Sequence, residues 1–215
     1  EKLEFNISEH KIIQKYCKSK KIEYMCSAWD VTSLKQLISL KMNHIKIPSA
    51  CNNNYDLLKY LFKNFNGHCH ISLGMTTIKE ENKIYALAKK YKKLKKLILY
   101  ACTSDYPVKQ EDVCLLEISR LKKKYSKKIN SIAFSGHHQG ISSDIAAATL
   151  GAVWVERHFT LDRTLKGTDH AASLEPDGAR RVVRDLELLN HALKYKKKQI
   201  LTCEIPQRSK LKYEA

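Results

Sequence analysis

The sequence predicts an α/β fold built on one parallel sheet, and three observations support this prediction. Six short runs rich in strand-forming residues recur along the 215-residue chain. Each run is followed by a segment with helical periodicity, and alternation with short connections gives parallel strands joined by right-handed crossovers. No internal linker rich in proline and glycine divides the chain, so we expect one domain over residues 1–200 and a basic tail over 201–215.

The predicted elements alternate strictly along the chain. The predicted strands cover residues 23–29, 44–49, 68–74, 96–103, 131–136 and 152–159. The helices that follow them cover 31–42, 55–65, 77–94, 110–125, 142–150 and 176–193, and another helix near 8–20 precedes the first strand.

Polar residues end nearly every predicted strand, and no glycine-rich dinucleotide or P-loop motif is present. This pattern is typical of a (β/α)8 TIM-type barrel, in which the chemistry lies at the carboxyl ends of the strands. A barrel of that type has eight units. We therefore expect a TIM-type barrel that lacks the first two β/α units.

The composition excludes several classes of protein. A hydrophobic fraction of 43% indicates a globular chain, and no apolar run approaches the ~18 residues that a membrane helix needs. Seven scattered cysteines without a CxxC pair favour reduced thiols and a cytoplasmic protein over a disulfide framework or a zinc ribbon. The net charge of +17 includes lysine clusters at 89–96, 121–128 and 194–198. We favour solvated helix faces over nucleic-acid binding for these clusters, because almost no arginine accompanies them.

Strand parity groups the polar residues at the strand ends, because alternate residues share one face of a sheet. Lys46 takes the opposite face from Ile45 and Ile47. The later pairs that fall in phase are Ser104 with Tyr106, Ser135 with His137, and Glu156 with His158. If the apolar face packs under helices, these polar side chains converge on one pocket.

The converging residue types predict a chemistry. His137 and His158 are candidate ligands of one divalent cation that acts as a Lewis acid on a carbonyl oxygen. Glu156 is a candidate general acid or base, and Asp169 is a candidate polyol contact in the following loop. The candidates for binding a phosphate or a carboxylate are Lys46, Ser49, Ser72 and Ser135. We therefore expect a phosphorylated small molecule that reacts with an aldehyde.

Several segments at these positions resemble the sialic acid synthase family. "GAVWVERHFTLDRTLKGTDHAASLEP" (151–176) is similar to the family segment that runs from "EKHFTLD" through "GPDH" to "SLEP". The other similar segments are "KIPSACNNNYDLL" (46–58) to "KIPSGE", "SLGM" (72–75) to "STGM", "CTSDYP" (102–107) to "CTxxYP", and "FSGHHQG" (134–140) to "YSDHTLG". The matches keep their order over essentially the whole chain.

The resemblance implies an enzyme, a transferase that condenses phosphoenolpyruvate with an N-acetyl-hexosamine such as N-acetylmannosamine and releases phosphate. It implies that His137 and His158 bind a divalent metal, with Mn²⁺ preferred and Mg²⁺ as the alternative. Glu156, His158 and Lys46 are then catalytic, and Tyr106 and Asp169 match sugar-contacting positions. The positions implied for binding phosphoenolpyruvate are Ser27, Lys46, Ser49, Ser72, Ser104 and Ser135. The resemblance also allows a homodimer.

Some residues and segments depart from the family pattern. Gly136 replaces the aspartate before the metal histidine, which we expect to loosen the support of that ligand. Arg157 replaces lysine, which we expect to matter little. Cys51 stands where many members have a glutamate near the sugar, so the acceptor sugar stays open. The resemblance further implies that the first two barrel strands and the C-terminal antifreeze-like domain are absent.

Two other interpretations stay open. The first is a catalytically degenerate barrel that binds carbohydrate or an anion, which Gly136 favours and the intact histidine pair opposes. The second is nucleic-acid binding through the lysine clusters, which predicts a steep salt dependence and no dependence on metal.

Overall fold

The computed structural model describes residues 4–196 and 199–213. The strands are β1 (Cys26–Ser27), β2 (His44–Ile47), β3 (His68–Ser72), β4 (Leu97–Cys102), β5 (Ser131–Gly136) and β6 (Trp154–Arg157). The α-helices are α1 (Ile7–Ser19), α2 (Val31–Ser39), α3 (Tyr55–Asn64), α4 (Ile78–Lys90), α5 (Leu116–Tyr125), α6 (Ser142–Leu150), α7 (Pro176–Ala192) and α8 (Ile205–Leu211). Short 3-10 helices cover Ser49–Cys51, Leu94–Lys96, Gln110–Asp112, His170–Ala172 and Thr202–Glu204.

The six strands form one parallel sheet in the order β1-β2-β3-β4-β5-β6, which confirms the predicted parallel arrangement. This sheet is strongly curled. In a flat sheet β2 and β6 would lie four strand spacings apart, roughly 19 Å. The Lys46 ammonium on β2 nevertheless contacts the Glu156 carboxylate on β6. The concave face therefore encloses an interior in which distant strands meet.

Helices pack on the convex face of the sheet. Ile45 and Ile47 of β2 and Ile71 of β3 are fully buried in the core on this side. The buried side chains that α3 adds are Leu57, Leu58, Leu61 and Phe62. Each such side chain contributes about 1.5–3 kcal/mol by leaving water. Because these apolar residues of each strand point to the convex face, the residues that alternate with them point to the concave face.

Two predicted elements differ most from the observed ones. The strand predicted over 23–29 is reduced to the two residues of β1, which among the described strands pairs only with β2. The helix predicted over 110–125 begins at Leu116, because Cys114 takes a φ of 52°, outside the helical region. The predicted tail contains the helix α8, and none of the residues of α8 is buried.

Two further properties bear on the class of protein. Across residues 4–196 and 199–213, no helix combines the length and the apolar character that a membrane span requires. All seven cysteines are free.

Candidate active site

The candidate site lies on the concave face, at the carboxyl ends of the strands. The backbone register places polar residues of neighbouring strands side by side. The pairs are Ser27 with Lys46, Ser72 with Tyr100, Cys102 with Ser135, and Ser135 with Glu156. Parallel strands that end at one edge thus bring residues from distant parts of the sequence into one layer.

Lys46 and Glu156 form an ion pair across the interior. Their side chains are 8% and 33% exposed, respectively. The Lys46 ammonium also lies 5.1 Å from the centroid of the Tyr100 ring, where the negative face of the ring attracts a cation. A charge this buried needs a partner, so an incoming anion would share Lys46 with Glu156 or replace it.

A second group of hydroxyls gathers around Gly74, in the turn after β3. The Gly74 N–H donates to Ser49 Oγ at 3.1 Å. A Cβ at position 74 would lie 2.2 Å from Ser104 Oγ and 2.7 Å from Ser49 Oγ, so only glycine lets both hydroxyls approach the backbone here. Nearby on β3, Ser72 Oγ is buried, and no atom of the described residues hydrogen-bonds to it. A buried hydroxyl of this kind suits a ligand oxygen.

His137 and His158 face each other, with ring centroids 5.2 Å apart. The Tyr106 ring packs against both, at centroid distances of 4.3 Å and 5.6 Å. His137 Nδ1 lies 2.7 Å from the carbonyl oxygen of Thr103, so Nδ1 carries the hydrogen and Nε2 keeps its lone pair. Burial lowers the pKa of both imidazoles below the ordinary value. Both rings are therefore neutral at neutral pH, which is the form that binds metals.

This imidazole pair fits part of the ligand set of a divalent cation. Within the described parts of the chain, no group of three or more His, Cys, Asp or Glu residues is placed to hold a metal ion. With these two imidazoles as its ligands, an ion would keep coordination positions open to water or substrate. Open positions of this kind are what a Lewis-acid site requires.

Asp169 and Tyr106 lie at the mouth of the site. Asp169 Oδ2 is 3.6 Å from His158 Nδ1, and the Asp169 side chain is 55% exposed. Tyr106 is 38% exposed, so both side chains are accessible to a polar substrate. Ser27 lies on β1, beside Lys46. The structure thus brings the residues predicted from the sequence to one concave face, with the hydroxyls and Lys46 inside and Asp169 at the rim.

Sequence reasoning missed a buried polar chain beneath Lys46. His44 Nδ1 lies 2.8 Å from His70 Nε2, and His70 Nδ1 lies 2.8 Å from Tyr100 Oη. Glu23 Oε2 lies 3.5 Å from His44 Nε2, so the carboxylate favours a hydrogen on that nitrogen. With a hydrogen on that nitrogen, each group donates a hydrogen bond to the next: the Tyr100 hydroxyl to His70, His70 to His44, and His44 towards Glu23. The sequence did contain a signal for this polar chain, because His44 lies two residues before Lys46 on β2 and therefore faces the same side of the sheet.

Comparisons with known proteins identify the family to which this chain belongs. The profile of the NeuB family matches residues 1–198. N-acetylneuraminate-9-phosphate synthase of Homo sapiens is 35% identical over 209 residues, which are 97% of this chain and 57% of that protein. N,N'-diacetyllegionaminic acid synthase of Campylobacter jejuni is 31% identical over 194 residues, which are 90% of this chain and 57% of that protein.

A solved structure matches over nearly the whole chain. It is N-acetylneuraminic acid synthetase from Leptospira borgpetersenii in complex with citrate, with a TM-score of 0.84 at 29% identity. The match covers 98% of this chain and 73% of that one. The chain spans 57% of the length of the human and Campylobacter relatives. Since the family profile covers residues 1–198, the chain belongs to the NeuB family, the sialic acid synthases.

Proposed function

We propose that this chain carries the condensing site of a nonulosonic acid synthase, which joins phosphoenolpyruvate to an N-acetyl-hexosamine such as N-acetylmannosamine and releases phosphate. The observation that supports the proposal most is the presence of one buried ammonium, Lys46, and two neutral imidazoles, His137 and His158, on the same concave face. An ammonium suits a phosphate or carboxylate, and an imidazole pair suits a metal. Membership of a family of enzymes supports it independently.

In this proposal the interior of the site holds phosphoenolpyruvate. Lys46 supplies a cation that is already desolvated, so its attraction to a phosphate is stronger than that of an exposed lysine. The unpartnered Ser72 hydroxyl supports the same assignment, because its hydrogen is available to a ligand oxygen. The other hydroxyls that we assign to this ligand are those of Ser27, Ser49, Ser104 and Ser135.

The imidazole pair holds the metal, with Mn²⁺ preferred and Mg²⁺ as the alternative. When bound, such an ion polarises the aldehyde carbonyl of the open-chain sugar. His137 keeps its Nε2 free through its contact with Thr103, and His158 is held beside Asp169. Tyr106 and Asp169, at the mouth, bind the sugar.

The reaction forms a bond between C3 of phosphoenolpyruvate and the aldehyde carbon of the sugar. Water then adds at C2, and the bond from C2 to the phosphate oxygen breaks as phosphate leaves. Glu156 contacts Lys46 inside the site, so it can accept the proton of this water or protonate the new alkoxide. Lys46 neutralises charge on the phosphate that departs.

We further propose that the six units are part of an eight-unit TIM-type barrel. The curled sheet and the TM-score of 0.84 to the Leptospira borgpetersenii enzyme support this. The free cysteines support a reducing, cytoplasmic setting.

The test is phosphate release from phosphoenolpyruvate with N-acetylmannosamine, measured with Mn²⁺, with Mg²⁺ or with EDTA. We expect release to require both substrates and a metal. His158→Ala should abolish the metal-dependent release while the circular dichroism spectrum and the melting temperature stay unchanged. His191→Ala, on the exposed side of α7, is the matched control. Retained turnover in His158→Ala would refute the metal assignment.

The same assay on a chain extended by two N-terminal β/α units separates an incomplete site from a wrong assignment. Release from the extended chain alone supports the synthase and shows that these 215 residues hold only part of its site. If neither chain releases phosphate but calorimetry detects phosphoenolpyruvate binding, a degenerate barrel that binds an anion is favoured instead.

A further inference from the structure

A buried ion pair lies behind the candidate active site. Arg157 Nη1 is 2.5 Å from Asp144 Oδ2, and the two side chains are 6% and 0% exposed. Arg157 points away from the site, because its neighbours Glu156 and His158 share the opposite parity. The ion pair therefore does not touch a ligand on the concave face, and any effect that it has on the site is indirect.

The Arg157 guanidinium joins three segments of the chain. Its Nη2 donates to the carbonyl oxygens of His138 at 2.6 Å and Ala172 at 3.3 Å. Its Nη1 donates to the carbonyl oxygen of Gly140 at 2.9 Å and contacts Asp144. The joined segments are the loop after β5, the first turn of α6 and the short helix His170–Ala172.

Each joined segment adjoins a residue of the candidate site. His137 directly precedes His138 in the loop after β5. Asp169 directly precedes the short helix that contains Ala172. Arg157 itself directly precedes His158. A displacement of the guanidinium would thus move both imidazoles and the rim carboxylate together.

Gly136 is part of the same arrangement. A Cβ at position 136 would lie 2.9 Å from Cε1 and Nδ1 of the His138 ring and 2.7 Å from the Phe134 ring. The His138 ring therefore occupies the space that a larger residue at position 136 would need. His138 Nε2 lies 3.0 Å from Arg157 Nη1, so the ring is tied to the ion pair. We expected Gly136 to loosen the support of His137, but the His138 ring fills the space that the missing side chain leaves and contacts Arg157.

The free energy of folding alone does not explain why an ion pair is buried at this position. Desolvation of two buried charges offsets most of their attraction, and apolar residues of similar volume stabilise a core equally well. The fork of the guanidinium reaches three carbonyl oxygens and a carboxylate in fixed directions, which a lysine ammonium on a flexible stem does not reproduce. The expectation that arginine at position 157 matters little therefore does not fit its contacts.

We propose that the Arg157–Asp144 pair is a positioning clamp that fixes the separation of His137 and His158 and holds Asp169 over them. The metal-binding consequence of this clamp rests on the proposed function. The effect on the two imidazoles follows from the contacts of Arg157 and can be measured without metal or substrate.

The test compares Arg157→Lys and Asp144→Asn with a matched control, Glu81→Gln. Glu81 is also a buried carboxylate paired with an arginine, Arg120, but that pair lies between α4 and α5. All three variants weaken a buried ion pair, by removing its carboxylate charge or by replacing the guanidinium with an ammonium, so all three should melt at lower temperature. Only the two clamp variants should change the site. If Asp144→Asn fails to fold, the conservative Arg157→Lys variant carries the test.

Two readouts are taken on each variant. The first is the set of imidazole ¹⁵N–¹H resonances of metal-free protein, in which the signals of His137 and His158 should shift in the clamp variants and not in Glu81→Gln. The second is Mn²⁺ affinity by electron paramagnetic resonance, which should fall about tenfold or more in the clamp variants, as for residues that orient metal ligands.

Unchanged imidazole resonances in both clamp variants would overturn the clamp, and so would equal shifts in Glu81→Gln. Unperturbed Mn²⁺ affinity in a clamp variant, next to a wild type that binds Mn²⁺, would also overturn it. If the wild type binds no Mn²⁺ while the resonances shift as expected, the clamp stands and the proposed metal site fails. The two proposals are thus separable.

Discussion

Among the single residues of the site, Lys46 has the most constrained surroundings. Its ammonium is buried between the Glu156 carboxylate and the Tyr100 ring. We expect Lys46→Ala to raise the KM for phosphoenolpyruvate about 100-fold, which is roughly 3 kcal/mol and typical of a lost buried charge contact. The KM for the sugar should change far less, because Tyr106 and Asp169, to which we propose the sugar binds, lie at the mouth of the site.

Steady-state kinetics with each substrate varied in turn measure this difference. The control is Lys59→Ala, which removes a lysine paired with Asp56 on the surface and should leave both KM values unchanged. An equal rise in both KM values for Lys46→Ala would contradict the assignment of Lys46 to the phosphorylated substrate.

His70 links the buried polar chain to the pH dependence of stability. Burial lowers the pKa of His70 to about 3, below the ordinary value of about 6.5 in an unfolded chain. Between these values the unfolded state binds more protons than the folded state, so stability rises with pH in this window. The contribution of His70 is complete above about pH 6.5 and is lost as the pH falls towards 3.

We expect urea unfolding of the wild type to show this loss between neutral pH and pH 4. His70→Gln keeps a hydrogen-bonding side chain but removes the titration. Its stability should therefore fall less steeply, by up to about 1 kcal/mol per pH unit. Identical slopes for the two proteins would show that His70 does not titrate between the two states.

At the residue level, the polar residues at the carboxyl ends of the strands could be predicted from the sequence. The buried chain of His44, His70 and Tyr100 beneath Lys46 was missed. Lys46 and Glu156 could be found because parity along a strand fixes the face of each side chain. His44 and Tyr100 share those faces, but they lie before the carboxyl ends of their strands, where chemistry in a parallel sheet is not expected. The contact of Lys46 with Glu156 could not be predicted either, since it depends on the curl of the sheet.

At the scale of elements, α4 and α5 are joined by one buried carboxylate. Glu81 of α4 is 3% exposed. Its oxygens accept hydrogen bonds from Arg120 Nη2 at 2.5 Å, Lys124 Nζ at 2.8 Å and Tyr125 Oη at 2.8 Å. Burial opposes the charge on Glu81, but the hydrogen bonds from these partners outweigh it and lower its pKa. All three partners belong to α5, so the pairing sets how the two helices pack.

We expect Glu81→Gln to destabilise the chain by about 3 kcal/mol, because it leaves cationic partners without their carboxylate. Chemical denaturation at neutral pH measures this loss. Asp56→Asn, which alters an exposed pair on α3, should leave the unfolding midpoint unchanged. A midpoint for Glu81→Gln equal to that of the wild type would contradict the role of Glu81.

The order and type of the elements could be predicted because hydrophobic periodicity is local. The start of α5 could not be predicted, because the residues before Leu116 are compatible with a helix in their sequence. The helix is interrupted there by the left-handed backbone of Cys114, which the sequence does not reveal. The Glu81 pairing is equally invisible in the sequence, since its partners lie about forty positions away.

For the whole molecule, the net charge of +17 is the most prominent property. The first two lysine clusters lie where helices end and strands begin. Lys93 Nζ donates to the carbonyl oxygen of Phe65 at 2.6 Å, and Lys122 Nζ donates to that of Leu150 at 3.0 Å. Carbonyl groups at helix ends are unpaired within the helix and attract cations. Part of the lysine excess therefore stabilises the ends of helices on the side opposite the candidate site.

These contacts predict that the chain binds nucleic acid only weakly and without sequence preference. Fluorescence anisotropy with a short labelled duplex at physiological salt should give a Kd in the range of non-specific binding, about 1–100 µM, that weakens steeply as salt is added. Charge reversal at Lys89 and Lys90, both exposed at the end of α4, should weaken this residual binding further and leave phosphate release unchanged. A nanomolar Kd that distinguishes between duplex sequences would contradict the assignment of the clusters to solvated helix ends, because affinity of that kind requires direct contacts to base edges.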